Sequence, residues 1–68
     1  MPYVVKWIAA GQWKINEAPT AYPTPGEAVD FACIVLKQRP EKIWIEGPSG
    51  QRIERAAIEL NCEARGMR

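Results

Sequence analysis

TPGEAVDFACIVLKQR, residues 24 to 39, reads as one amphipathic helix, and the rest of the chain falls into strands on either side of it. Thr24 is placed to cap the N–H of Glu27, Glu27 can reach back in a capping box, and Pro25 takes the first helical position, where a missing N–H costs nothing. On a helical wheel Ala28, Val29, Ala32, Val35 and Leu36 share a face, with Phe31 and Cys33 at its edges. Glu27, Asp30, Lys37 and Gln38 lie opposite, and Ile34 falls among them. The apolar arc is wider than one side of a sheet needs, so part of it is expected to meet a second element or another chain. Pro40 is the stop signal.

Working towards the N-terminus, EAPTAYP at 17 to 23 has two prolines and no periodicity, and reads as the loop into the helix. Before it, Gln12 to Asn16 reads as a strand with Trp13 and Ile15 on one face, and Ala9-Ala10-Gly11 as a reversal. Tyr3 to Ile8 reads as a central strand, because both Tyr3, Val5, Trp7 and Val4, Lys6, Ile8 include apolar residues.

Working towards the C-terminus, Lys42 to Glu46 reads as a third strand with Ile43 and Ile45 inward and Lys42, Trp44 and Glu46 outward. Gly47-Pro48-Ser49-Gly50 has Pro at the second and Gly at the fourth position of a type I turn, leading into Gln51 to Glu54. From Arg55 to Arg65 the period becomes helical: Ile53, Ala56, Ala57, Leu60 and Ala64 share a face, and Arg55 and Glu59 form an i,i+4 pair. A short helix ending at Gly66 and an extension of the fourth strand both fit this tail. The fold expected is α+β: a small β-β-α-β-β sheet, one main helix on one face and a short C-terminal helix. A split arrangement with the first strand between the second and third satisfies the right-handed crossover preference, and 2-1-3-4 is the strand order expected on that basis.

These pieces resemble a family of short bacterial domains of unknown function. Its members carry a Tyr-x-Val opening, a Gly-x-Trp or Gly-Trp second strand, a Thr-x-x-Glu-Ala helix start and an Ile-x-Ile-x-Gly-x-x-Gly hairpin. The matching residues are Tyr3 and Val5, Gly11 and Trp13, Thr24, Glu27 and Ala28, then Ile43, Ile45, Gly47 and Gly50. The resemblance implies the β-β-α-β-β layout and a bacterial source, and it implies no activity. Pro48-Ser49 departs from the family's polar-Asp turn, and the tail beyond Arg55 is unmatched.

Composition narrows the function classes. The 68 residues are read as one domain, residues 1 to 68, of which 47% are hydrophobic and 25% charged, as in a folded globular chain. A chain this short buries only about 60% of its unfolded surface, which makes association with a second copy a common remedy. Nine basic against eight acidic residues give a net charge of +1, without a block of either sign to name a partner. No signal-like N-terminus and no bilayer-length apolar run are legible, so a cytoplasmic protein with no membrane contact is expected.

There is no histidine, the usual general base and orienter of a nucleophile. Gly-Pro-Ser-Gly around Ser49 is not a nucleophile elbow, and Glu59 with Glu63 reads as a solvated helix face. Cys33 and Cys62 are too few for a disulfide framework or a zinc knuckle, and Cys33 reads as a small core residue. No enzyme activity, cofactor or metal is expected.

The expectation is instead a non-catalytic interaction or accessory module, with a homodimer or another protein as partner. Trp7 and Trp13 are expected under the helix. The outward sheet face would then show Val4, Lys6, Ile8, Lys42 and Trp44, a surface covered either by the C-terminal helix or by a second subunit. The alternative is weak binding of single-stranded nucleic acid, with Trp44 stacking on bases beside Lys42 and Lys6. The missing basic footprint counts against it.

Overall fold

The computed structural model describes residues 2–64 and 66. Four strands and two helices follow in the order β1 (Val4–Ile8), β2 (Ile15–Glu17), α1 (Pro25–Leu36), β3 (Lys42–Glu46), β4 (Arg52–Glu54) and α2 (Arg55–Ala64), with a 3-10 turn over Pro48–Gly50. The strands form one antiparallel sheet in the order β2-β1-β3-β4. β1 thus lies between β2 and β3, the pair that α1 connects. The chain is α+β, with the tail a full ten-residue helix.

Sheet register decides which side chains meet the helices. Val5 pairs with Ile45, and Ile45 pairs with Ile53. Val5 and Ile45 are fully buried, as is Ile58 of α2. Burying one such side chain stabilises the fold by about 1.5–3 kcal/mol, so these few residues carry much of a small domain's stability. Ala28, Val29, Ala32, Cys33 and Val35 of α1 join the same core. Phe31 sits at its rim, with ring centroids 5.9 Å from both Trp7 and Tyr22. Trp7 does face the helices.

The cap of α1 forms largely as its residues dictate. The Glu27 N–H donates to Thr24 Oγ1 at 3.3 Å. The return contact runs from the Thr24 hydroxyl to Glu27 Oε2, also at 3.3 Å, rather than from the Thr24 backbone N–H. The helix ends at Leu36, ahead of Pro40, because Arg39 turns into the left-handed region with φ of 54°.

Four details differ from the sequence reading. First, β2 begins at Ile15, and the preceding loop leaves Trp13 90% exposed rather than under a helix. Pairing of Ile8 with Ile15 puts Ile15 on the face away from the helices, 55% exposed. Second, the β3–β4 turn is centred on Ser49 and Gly50, both with positive φ, and the Gln51 N–H donates to Pro48 O at 3.2 Å. Positive φ at both central positions is the primed hairpin geometry, whose twist suits antiparallel strands better than type I.

Third, α2 buries Ile58 and Cys62, while Leu60 is 68% exposed. The helix begins directly after β4, so the phase of Ile53 does not carry into it. Arg65, the last residue expected in this helix, lies outside the described residues. Fourth, Cys33 and Cys62 are joined by a disulfide. It links α2 to α1 across a separation of 29 residues, and restricting the unfolded chain over that span stabilises the fold by about 3–4 kcal/mol in the loop-entropy account. The surplus apolar arc of α1 is met by α2 itself.

Candidate interaction surface

Both helices pack on one side of the sheet, and alternation along each strand sends the other residues to the opposite side. Val4, Lys6 and Ile8 of β1 stand there beside Glu46, Trp44 and Lys42 of β3. Glu17 and Ile15 continue the face on β2, and Glu54 and Arg52 on β4. The five residues expected to share a surface, Val4, Lys6, Ile8, Lys42 and Trp44, therefore do share one.

Neither helix covers that face, so the C-terminal helix is not its lid. Trp44 is nevertheless only 8% exposed. Its own strand neighbours enclose it: the Arg52 guanidinium carbon lies 4.8 Å from the ring centroid, and the indole Nε1 donates to Glu46 Oε2 at 2.9 Å. Lys6 Nζ donates to Glu46 Oε1 at 3.1 Å and pairs with Glu17 at 3.7 Å. Stems of charged side chains routinely cover apolar surface in this way while their heads stay in water. The indole and Lys6 hydrogen bonds, with the Lys6 and Arg52 charges, together hold the Glu46 carboxyl below the usual glutamate range, against a smaller opposing effect of desolvation.

Lys6, Lys42 and Arg52 on this face are balanced by Glu17, Glu46 and Glu54. Val4 and Ile8 are separated by Lys6, so the apolar residues do not merge into one patch. Alternation alone places Glu46 on the outer face, but its contact with the indole could not be read from it. The turn signal pairs β4 with β3, but Arg52 over Trp44 depends on the register of that pair, which alternation does not reveal.

Of the large apolar side chains left in solvent, Ile34 and Leu60 lie on the helices, and Trp13 and Ile15 lie at one corner of the sheet. Ile15 pairs with the half-buried Ile8, β2 is an edge strand, and Trp13 precedes it with most of its side chain in solvent. Gly11, with φ of 79°, makes the reversal: the Gln12 N–H donates to Ala9 O at 3.0 Å, and the loop then leads to Trp13. Among the described residues, no group of three or more His, Cys, Asp or Glu side chains converges as a metal site would require, and no helix is long and apolar enough to cross a membrane. No family model matches the chain, and no curated protein or solved structure matches it either.

Proposed function

We propose that the chain is a non-catalytic interaction module that associates with a second copy of itself through the Trp13–Ile15 corner. The observation that carries this reading is the 90% exposure of Trp13 beside an exposed Ile15 on an edge strand. A tryptophan is among the side chains most often found at the energetic centre of an interface, and an unpaired edge strand offers backbone groups to a partner. Two-fold association would place both copies of the corner in one contact. Light scattering over a range of protein concentrations and at two salt concentrations tests it. A dimer that persists at high salt and is lost in Trp13→Ala supports the reading, and a monomer throughout defeats it.

Binding of single-stranded nucleic acid through Trp44 and Lys42 is the weaker reading. Arg52 already occupies the indole face where a base would stack, and the three cations nearby face three carboxylates. The proposed kinship with the small bacterial domains is supported by the tasks its motif residues perform: Tyr3 and Val5 on the β1 side, Gly11 in a turn, Thr24 as a cap, Gly50 in a primed turn. A cytoplasmic location stays part of the proposal with one condition. In that compartment most disulfides are transient, so the Cys33–Cys62 bond would be one that opens and closes.

A further inference from the structure

The hydrogen-bond phase of β2 fixes which of its backbone groups face away from the sheet. The Ala18 N–H donates to Val5 O at 2.9 Å. In an antiparallel ladder, hydrogen-bonded and non-hydrogen-bonded pairs alternate. Lys6 stands opposite Glu17, Trp7 opposite Asn16 and Ile8 opposite Ile15. Asn16 therefore bonds to β1, while Ile15 and Glu17 turn their N–H and C=O groups outward. No strand of the sheet lies on that side. At the other edge the Gly47 N–H donates to Gln51 O, so the outward positions of β4 are Arg52 and Glu54. Those two pair with each other at 2.9 Å and guard that edge with charge.

A two-fold axis normal to the sheet sets one residue of an edge strand opposite its own copy. The outward groups of Ile15 and Glu17 have to form the hydrogen-bonded pairs, so the axis can fall at Ile15, Asn16 or Glu17. At Glu17 it opposes two carboxylates and sets Ile15 against Pro19. At Asn16 it sets Ile15 against Glu17 and Trp13 against Pro19. Proline has no N–H to give to a ladder. At Ile15 the axis sets Ile15 against Ile15, Lys14 against Asn16 and Trp13 against Glu17, and every donor is kept. Ile8, Ile15 and their copies then form one apolar row across the seam, with Trp13 in diagonal reach of it.

We infer that, within the self-association proposed above and resting on it, the two copies join edge to edge through β2. Ile15 stands opposite Ile15, and one antiparallel sheet continues across the axis. β2 lengthens from Ile15–Glu17 to take in Trp13 and Lys14. Backbone groups carry the contact, which separates it from a packing of two outer sheet faces.

The test uses the full chain. Amide exchange at Ile15 and Glu17 is expected to slow by about tenfold or more as concentration rises through the dimer range. In a mixture of isotope-labelled and unlabelled chains, an Overhauser contact is expected between the Lys14 α-proton of one copy and the Asn16 α-proton of the other. A synthetic chain with the Ile15 nitrogen methylated should keep its Trp7–Ile43 contacts and dimerise about tenfold more weakly or worse, because symmetry removes two hydrogen bonds at once. A dimer that Trp13→Ala abolishes, but whose Ile15 and Glu17 amides exchange as fast as in the monomer, overturns edge pairing and leaves self-association standing. So does a dimer indifferent to the methylation. Protected amides with the Asn16 α-proton meeting its own copy overturn the register. A monomer at every concentration defeats both readings.

Discussion

The Trp44 indole donates to Glu46 at 2.9 Å across two positions of a single strand, on a sheet face that neither helix covers. Side chains two apart on a strand share a face, so this contact is local, yet its consequence is to tie Trp44 into the charged network of Lys6, Glu17 and Arg52. A tryptophan expected to seek a partner is occupied by its own sheet.

That relationship makes stability depend on pH in a defined direction. The folded-state pKa of Glu46 lies below its unfolded value. Its contribution is therefore fully present above the ordinary glutamate range and is lost as pH falls through the lowered value. The carboxyl titration followed by NMR should show a depressed midpoint, and the Trp44 indole proton signal should move with it. In Glu46→Gln the acid branch of the denaturation midpoint against pH should flatten. An unchanged acid branch would mean the network carries no linkage.

Trp13→Ala should leave stability within about 0.5 kcal/mol, because its side chain contributes little to the core. Self-association should fall in the same variant, measured as solution mass. Trp44→Ala should do the reverse, costing stability through lost packing and leaving the mass unchanged.

Ile45→Ala should cost about 2–5 kcal/mol in chemical denaturation, since Ile45 is fully buried between the sheet and both helices. Leu60→Ala should change stability by less than about 0.5 kcal/mol despite its apolar character. If the two variants behaved alike, α2 would be rotated from the orientation its disulfide fixes.

Gly47→Ala tests a close approach. A Cβ at Gly47 would stand 2.7 Å from Tyr3 Cε2, although the backbone there is extended and suits any residue. Moving the ring would disturb the Tyr3–Tyr22 bridge, and overpacking of this kind costs about 1–3 kcal/mol. Adding Tyr3→Ala should remove most of that penalty, which a double-mutant cycle would report as coupling.

Sequence alone sets most of the elements, although it starts β2 three residues early and leaves the tail beyond Arg55 open between helix and strand. Thr24 and Pro25 start α1, alternation around Ile43 and Ile45 makes β3, and a split sheet with β1 between β2 and β3 satisfies the crossover preference. These are local or chirality effects, carried by neighbouring residues. It also placed Val4, Lys6, Ile8, Lys42 and Trp44 on one face, because a strand's period of two needs no partner to be read. Only tertiary structure decided that α2 joins α1 on the opposite side, that Cys33 meets Cys62, and that Arg52 and Glu46 enclose Trp44 while Trp13 stays open. Each of those depends on register and on contacts between residues distant in the chain, and periodicity within a segment does not encode what lies across from it.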